Sequence, residues 1–374
     1  MELYLHFPFC KKKCAYCDFT SYAGCDEATV FSYLTALKRE IAFAGKRFGA
    51  ERIDTVYLGG GTPSLMSPRE IESLFKRLKE SFPLYAPTEV SVEVNPESAT
   101  EEVLCAFRDA GVNRVSMGVQ SFSDDNLRSV GRVHDAATAR AAARRTAAIF
   151  DNFSLDIIVG LPYDTPEFVR AETEEAGELA PHVSVYELTL EEGTPLFGAV
   201  DEGRVWLPDD DEVAEYMEIA ADVLAGKGLE RYEVSNFAKP GHECRHNRGY
   251  WTREAYVGLG AGAHSLVKND AEGKPLPAQI RFASPKDVNA YIAGVNCVSG
   301  FDDVPRAEMS VLSEGEIRAE RIMLGLRTRE GIDENLLAGR SAGRAEEFLE
   351  RGEGRVRLTE RGLAVMNSVL VELI

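Results

Sequence analysis

The stretch Cys10-Lys-Lys-Lys-Cys14-Ala-Tyr-Cys17 places three cysteines within eight residues, directly after a short apolar segment. Thiolates this close together can bind three of the irons of one cubane iron–sulfur cluster. A fourth thiolate would complete the coordination, whereas three leave one iron open to a ligand from outside the chain. The spacing therefore favours a [4Fe–4S] cluster held by Cys10, Cys14 and Cys17.

Two other interpretations of the three cysteines stay open on spacing alone. Zinc normally takes four ligands, and His6 is close enough in the sequence to supply the fourth. The three thiols could also be free. Lys11, Lys12 and Lys13 add positive charge that favours thiolates, and they are equally typical of a solvated loop. The position of the motif, just after a predicted first strand, favours the cluster.

The first half of the chain alternates between strand-like and helix-like segments. The predicted strands are short and rich in Val, Ile, Leu and Tyr, and they lie at 3–7, 55–58, 90–94, 114–119, 154–159 and 183–188. Helical patterns separate them, and this alternation implies parallel strands joined by right-handed crossovers. Six units are too few for a closed eight-stranded barrel. The predicted fold class is therefore α/β, with a partial (β/α)6 barrel.

Ligand sites of such folds lie at the carboxyl ends of the strands. Polar residues and glycines follow the predicted strands here, namely Gly59-Gly60-Gly61 after the second, Glu93 and Asn95 after the third, Gln120 after the fourth and Gly160-Leu161-Pro162 after the fifth. The sequence therefore predicts a binding site at this edge, next to the cysteine loop.

Three regions are predicted along the chain. Residues 1–230 form the partial barrel, 231–300 an accessory segment, and 301–374 a small C-terminal domain. The last region has helical patterns at 314–326 and 345–350, a short strand at 356–358 and a helix over 359–373. This order predicts a mostly helical, winged-helix-like domain.

Composition excludes several classes of partner. The net charge is −19 with a pI of about 4.9, which argues against a general nucleic-acid binder. No apolar run is long enough to span a membrane, and the start of the chain has no secretion-signal pattern. The cysteine count is odd, at seven, which does not suggest a disulfide framework. We expect a cytoplasmic protein.

Several motifs together resemble the radical-SAM family. Gly59-Gly-Gly-Thr-Pro-Ser64 follows the second predicted strand, as the cysteine loop follows the first. The segments Tyr4-Leu-His-Phe-Pro-Phe-Cys10, Glu93-Val-Asn-Pro96, Ser116-Met-Gly-Val-Gln-Ser121 and Asp156-Ile-Ile-Val-Gly-Leu-Pro162 make the chain similar to the oxygen-independent coproporphyrinogen III oxidase group. The resemblance covers nearly the whole chain. It implies that the open iron binds S-adenosylmethionine (SAM), which a reduced cluster can cleave.

The resemblance also implies a set of SAM-binding residues. Tyr4 lies beside the cluster loop and Tyr16 shapes the adenine pocket, whereas Gly60, Gly61 and Thr62 meet the methionine end and Glu93 accepts hydrogen bonds from polar cofactor groups. In the oxidase, positions matching Gln120, Arg132 and Asp156 line a second SAM site. For these three residues a structural role in tying loops together stays open.

Three features separate the oxidase from its haem-chaperone relatives. The oxidase has a fourth cysteine two positions after the third, where this chain has Phe19, and an N-terminal extension that this chain lacks. His246-Asn-Arg-Gly-Tyr250-Trp251 matches the chaperone motif HNxxYW. This match implies possible haem contacts by His246, Tyr250 and Trp251. A hydrogen-bonded structural role for His246 near the barrel mouth is the open alternative.

Three functions follow from these features. The favoured one is a haem-binding chaperone that retains a SAM-binding cluster and delivers haem to client haemoproteins. The alternatives are a coproporphyrinogen III oxidase and a radical-SAM enzyme with another substrate. Whether the chain is an enzyme stays undecided, although coproporphyrinogen oxidase activity is not expected. An electron donor and a homodimer are possible partners.

Overall fold

The first half of the chain supplies the strands of a barrel-like sheet. A computed structural model describes residues 1–85, 87–270, 273–339 and 342–374. The strands of this half are β1 (Glu2–Phe7), β2 (Phe9–Cys10), β3 (Tyr22–Ala23), β4 (Thr55–Gly60), β5 (Glu89–Val94), β6 (Arg114–Gln120), β7 (Phe153–Val159) and β8 (His182–Glu187). The six predicted strands are thus confirmed as β1 and β4–β8. The short β2 and β3 pair with each other beside the cysteine loop.

Six further strands extend the large sheet on both sides. They are β9 (Glu230–Glu233), β10 (Asn236–Ala238), β11 (Tyr256–Leu259), β12 (His264–Asn269), β13 (Pro275–Ala283) and β14 (Glu308–Leu312). The strand order is β14-β13-β12-β11-β1-β4-β5-β6-β7-β8-β10-β9. The strands from β11 to β8 in this order run parallel, whereas the outer strands are antiparallel. The two ends do not meet in the described ranges, which confirms a partial barrel.

Helices connect the strands of the large sheet, and the longer ones pack on its outer face. They are α1 (Glu27–Phe48), α2 (Pro68–Ser81), α3 (Glu101–Ala110), α4 (Asp124–Ser129), α5 (Ala136–Ala147), α6 (Pro166–Leu179), α7 (Pro195–Asp201), α8 (Asp210–Gly226), α9 (Arg245–Trp251) and α10 (Val288–Asn296). Ser67 caps α2 in a reciprocal capping box with Glu70, because the sequence places Ser, Pro and Glu in the required order. The start of α2 is therefore set by residues that are close together in the sequence.

A two-residue period in the strands separates an apolar face from a polar one. Leu3 and Leu5 of β1 are fully buried and belong to one apolar core with Leu37 and Ile41 of α1. The alternate residues of β1, Tyr4 and His6, face the other way, into the barrel, where they contact each other and polar groups. The helices therefore stabilise the sheet from outside, while the inside is left for polar chemistry.

A second hydrophobic core lies near the C-terminus. It includes Ile322, Leu326, Val356 and Leu370, and it belongs to the C-terminal unit, which we define as residues 314–374. The elements of this unit are α11 (Glu314–Gly325), β15 (Ile332–Asp333), β16 (Leu349–Gly352), β17 (Arg355–Leu358), α12 (Glu360–Ala364) and α13 (Met366–Leu373), with 3-10 turns at Glu334–Leu337 and Gly343–Phe348. A three-stranded sheet packed with helices accords with the winged-helix-like prediction.

The limits of the three predicted regions stay predictions. β14, which lies within the predicted region 301–374, pairs with β13 of the large sheet. The second core begins after β14, at Ile322. Within the described ranges, no helix is long and apolar enough to cross a membrane.

Candidate functional site: a cysteine loop at the carboxyl ends of the strands

Each of the three cysteine sulfurs has its own polar neighbour. Thr62 Oγ1 donates to Cys10 Sγ at 3.5 Å, Arg132 Nη1 donates to Cys14 Sγ at 3.3 Å, and Cys17 Sγ lies 3.8 Å from Ser21 Oγ. Burial raises the pKa of the Cys10 thiol, and the hydrogen bond from Thr62 opposes that shift. The sulfurs of Cys10 and Cys14 thus have donors beside them that stabilise negative charge, as bound thiolates require. The Ser21 hydroxyl beside Cys17 donates to Phe19 O.

A chain of hydrogen bonds connects these sulfurs across the strand ends. Asn95 Nδ2 donates to Thr62 Oγ1 at 3.0 Å, and Arg132 Nη2 donates to Asn95 Oδ1 at 3.0 Å. The route therefore runs from Cys10 through Thr62, Asn95 and Arg132 to Cys14. The sequence placed Asn95 among the polar residues of the predicted binding edge but gave it no role of its own.

The glycine segment approaches the cysteine loop closely. Gly61 N donates to Phe7 O at 2.7 Å, and Thr62 N donates to Phe9 O at 2.8 Å. Gly60 has a φ of +112°, a conformation that L side chains rarely adopt. Gly60, Gly61 and Thr62 consequently lie beside the residues that lead into Cys10.

Glu93 is buried at the end of β5 and touches this glycine segment. Its Oε2 accepts from Gly60 N at 3.0 Å, and its Oε1 accepts from Tyr57 OH at 3.0 Å. Burial raises the pKa of Glu93 to about 7, and the hydrogen bond from Gly60 opposes the shift. A carboxyl with this pKa gains negative charge readily when a hydrogen-bond donor or a cation binds beside it.

The two predicted tyrosines have different surroundings. Tyr4 OH lies 2.9 Å from His6 Nδ1, and His6 Nε2 lies 2.8 Å from Thr20 O. Both nitrogens of His6 are therefore engaged, which leaves none for the zinc ligand considered above. Tyr16 packs against an apolar cluster of Val130, Ile158, Leu161 and Leu188.

Gln120 and Asp156 lie on neighbouring strands with contrasting environments. Gln120 has a φ of +69° at an irregularity in the pairing of β6 with β7. Such strained non-glycine residues cluster at functional sites. Asp156 accepts from Ser184 Oγ at 2.7 Å and from Ser116 Oγ at 2.9 Å, and burial raises its pKa. A second SAM site at these residues stays a prediction, because Asp156 is also well explained by its serine partners.

The donor set fits a cubane cluster and SAM. In the part of the chain that the structure describes, no three His, Cys, Asp or Glu side chains converge on one metal ion. A cubane needs no such convergence, because each thiolate binds a different iron. Arg132 Nε is buried beside Cys14 without a hydrogen-bond partner among the described residues, and it offers a donor to an anionic group.

The structure does not bring His246, Tyr250 and Trp251 to this end of the barrel. They form part of α9, where His246 Nδ1 lies 2.7 Å from Thr55 Oγ1 and His246 N donates to Glu89 Oε1 at 3.1 Å. Thr55 and Glu89 begin β4 and β5, so α9 lies at the amino ends of the strands. That is about 17 Å along a six-residue strand from the cysteine loop.

The sequence-based prediction that places His246 near the barrel mouth is therefore wrong. It is 1% exposed, stacks on Tyr57 with ring centroids 5.0 Å apart, and has its second nitrogen 3.1 Å from Tyr250 OH. Haem ligation would require this buried ring to become accessible and one of its nitrogens to give up its partner, Thr55 or Tyr250. The geometry instead favours the alternative of a hydrogen-bonded structural residue, one that closes the amino end of the barrel.

Burial of His246 predicts a pH dependence of stability. Desolvation, followed by the nearby Arg114, lowers its pKa to about 3, below the usual value of about 6.5 for an unfolded chain. The unfolded state therefore binds the extra proton below pH 6.5, and stability falls as the pH drops. Between pH 7 and pH 5 we expect His246 to account for a loss of about 2 kcal/mol.

Urea unfolding of the wild type and of His246→Gln at both pH values would measure this contribution. The other buried histidines are present in both proteins, so their effects cancel in the comparison. Equal losses of stability in the two proteins would contradict the assignment.

Comparisons with known proteins agree with this site. Residues 4–172 match the model of the Radical SAM superfamily. Coproporphyrinogen III oxidase (HemN) from Escherichia coli has a similar solved structure, with a TM-score of 0.82 over 100% of this chain and 89% of that one, at 22% identity. The fold and the three-cysteine loop thus define the class of radical-SAM proteins.

Similar proteins of known name identify the family within this class. The heme chaperone HemW of Mycobacterium tuberculosis is 35% identical over 100% of this chain and 94% of its own length. HemW of Bacillus subtilis is 34% identical over 98% and 97%, respectively. The mitochondrial radical S-adenosyl methionine domain-containing protein 1 of Mus musculus is 34% identical over 100% and 87%. The chain belongs to the HemW family of radical-SAM proteins.

Proposed function

We propose that this protein is a haem chaperone, which binds haem as cargo and delivers it to client haemoproteins. The observation that carries the proposal is the full-length similarity to HemW chaperones at 34–35% identity. The resemblance to the oxidase HemN, at 22% identity, supports the fold alone. Phe19, which stands where the oxidase has its extra cysteine, is exposed and cannot replace a thiolate ligand.

The carboxyl ends of the strands are the proposed SAM site. When present, the cluster and SAM supply electron transfer into a sulfonium and a deoxyadenosyl radical. The chain's own residues would hold these groups. Cys10, Cys14 and Cys17 would bind the cluster, and Arg132 would offer its Nε to an anion. Gly60 and Gly61 let this strand end pack closely on His6 and on the backbone of Phe9, which places the glycine segment beside the cluster loop.

Glu93→Gln is expected to weaken SAM binding at least about tenfold, because the charged acceptor for cofactor donors is lost. Since the pKa of Glu93 is about 7, wild-type affinity should also fall between pH 8 and pH 6 as the carboxyl becomes protonated. The variant should lack that pH dependence. Equilibrium dialysis of SAM with the anaerobically reconstituted protein measures both effects.

Glu89→Gln is the matched control for this experiment. Glu89 is a buried carboxyl of the same strand, but it lies at the opposite end of the barrel, where it accepts from Arg245 N and His246 N. Its substitution should leave SAM affinity within about twofold of wild type. Equal SAM binding by wild type and Glu93→Gln at pH 8 would remove Glu93 from the site.

The choice between chaperone and oxidase is tested by two assays on the same reconstituted protein. Haem titration should produce a Soret change, and incubation with coproporphyrinogen III, SAM and a reductant should release no carbon dioxide. Decarboxylation above the rate of a Cys14→Ala control would favour the oxidase. Absence of haem binding together with absence of decarboxylation would leave a radical-SAM protein with another substrate.

The same proposal includes a compartment and partners. The seven cysteines are all unpaired, and Cys25 and Cys297 are exposed, which suits a reducing compartment such as the cytoplasm. An electron donor is required if the cluster is reduced in function. A homodimer is retained as a proposal, to be tested by light scattering with and without haem.

A further inference from the structure

A large groove separates the barrel from the C-terminal unit. Its volume is about 1580 Å³, above the range of roughly 300–1,000 Å³ that is common for small-molecule sites. Val213 and Met217 of α8 line one wall, and Leu363 of α12 lines the other. Trp206 lies at the rim and is 83% exposed. An exposed indole beside apolar walls marks a binding surface for a large apolar ligand.

The groove also contains unpaired positive charge. Five arginines line it, and three of them, Arg231, Arg329 and Arg357, form ion pairs with glutamates. The remaining two, Arg327 and Arg361, have no carboxylate within ion-pair distance in the described parts of the chain. In a chain of net charge −19, two such guanidinium groups favour an anionic ligand.

Acidic groups of the groove do not remove this preference. Asp210, Glu218 and Asp222 of α8 are exposed to solvent. The buried Glu233 accepts from Asn236 and Ser235. Glu187 also lines the groove and is exposed, so carboxylates outnumber arginines among the described lining residues.

The preference for an anion is therefore local to two guanidinium groups. Arg327 donates to Met323 O and lies over the Trp251 ring, and Arg361 lies over the Phe348 ring, but none of these contacts supplies a counter-charge.

We propose that this groove holds the tetrapyrrole cargo, with the macrocycle against α8 and Trp206 and its propionates on Arg327 and Arg361. The inference rests on the haem-chaperone function proposed above and gives that function a site distinct from His246. A tetrapyrrole dicarboxylate matches the groove in its large apolar plane and its two anionic groups. Guanidinium groups bind carboxylates with directed hydrogen bonds, so they would set the orientation of the ring.

The groove reaches the cluster end of the barrel. Gly160, Glu187 and Leu188, at the carboxyl ends of β7 and β8, belong to its lining. Leu188 also packs in the apolar cluster of Tyr16, the residue before Cys17. Cargo in the groove would therefore lie next to the cysteine loop, where the state of the cluster can influence its retention.

Recognition in this groove depends on carboxylates and apolar surface more than on iron. Among the described residues, the lining contains no histidine or cysteine, and Met217 supplies the one sulfur atom. Iron-free protoporphyrin IX should therefore bind with an affinity within about tenfold of that of haem. A site that depends on histidine ligation would discriminate strongly against the iron-free ring.

The test is titration of the full-length reconstituted protein with haem and with protoporphyrin IX. The double variant Arg327→Gln/Arg361→Gln should bind both ligands about tenfold more weakly, whereas Arg77→Gln/Arg128→Gln, at two exposed arginines, should bind like wild type. Bound porphyrin should quench the tryptophan fluorescence of the wild type, and Trp206→Phe should lose the part of that quenching that comes from the groove. Circular dichroism confirms that each variant is folded.

The possible results distinguish a failure of the proposed groove from a failure of the proposed chaperone function. Unchanged binding by the arginine variant, or quenching in Trp206→Phe equal to that of the wild type, would overturn the groove and leave the chaperone function standing. Loss of haem binding in His246→Gln, with normal binding by the arginine variant, would move the site to the amino end of the barrel. A wild type that binds neither ligand would refute both proposals.

Discussion

Cys14→Ala is expected to retain less than about a tenth of the iron and sulfide that the wild-type protein binds after anaerobic reconstitution. Two thiolates cannot hold a cubane that three only partly coordinate. The substitution also leaves the Arg132 guanidinium, which donates to Cys14 Sγ at 3.3 Å, without its sulfur acceptor. The measurement is the iron and sulfide content, together with the loss of the visible absorbance of the cluster.

Cys25→Ala is the matched control for cluster loss. Cys25 is also a free cysteine near the N-terminus, but it is exposed and lies outside the three-residue motif. It should retain wild-type iron and sulfide. Full retention in Cys14→Ala, or loss in Cys25→Ala as well, would show that the cluster does not depend on the predicted ligand set.

Gly60→Ala is expected to destabilise the protein by roughly 2–5 kcal/mol, through backbone strain and overpacking together. The φ of Gly60 is +112°, and an added Cβ would lie 2.4 Å from His6 Cε1 and 2.5 Å from His6 Nδ1. His6 cannot rotate away freely, because Tyr4 OH and Thr20 O hold its two nitrogens. Urea unfolding of the reconstituted protein, followed by circular dichroism, measures the change in the free energy of unfolding.

Gly228→Ala is the control that separates backbone strain from overpacking. Gly228 also has a positive φ, of +76°, but an added Cβ there would meet nothing within 4 Å. It should cost only about 1 kcal/mol, from backbone strain alone. If Gly60→Ala lowers the free energy of unfolding no more than Gly228→Ala does, His6 yields to the added Cβ. In that case the close packing of the glycine segment on His6 does not shape the site.

The fold was accessible to sequence analysis where the signals were local. Six strands alternate with helices, and each strand carries a two-residue apolar period that is visible without neighbours. Ser67 and Thr100 cap their helices as their positions indicate. The parallel strand β11 and the antiparallel strands β9, β10 and β12–β14 were not predicted, because short outer strands carry weaker patterns and depend on pairing with an existing edge.

The residues of the candidate site also divide into those that short motifs identify and those whose role only tertiary contacts show. Cys10, Cys14, Gly60 and Thr62 were identifiable because their chemistry lies in short motifs, and the structure brings them together. The sequence placed Asn95 at the predicted binding edge, but its role in joining Thr62 to Arg132 was visible only from its contacts. The hydrogen bonds that define its role connect three separate strand–helix units.

The sequence by itself indicated the radical-SAM class, because several short motifs point to it together, and it predicted the open α/β barrel from a repeated local pattern. The three-cysteine ligand set stays a prediction from the spacing of Cys10, Cys14 and Cys17. Only the tertiary structure decided that His246 lies at the amino end of the barrel and that a groove opens beside the C-terminal unit. The reason is physical. His246 is positioned by Thr55 and Glu89, and the groove by α8 and α12, so both depend on contacts between residues far apart in the chain.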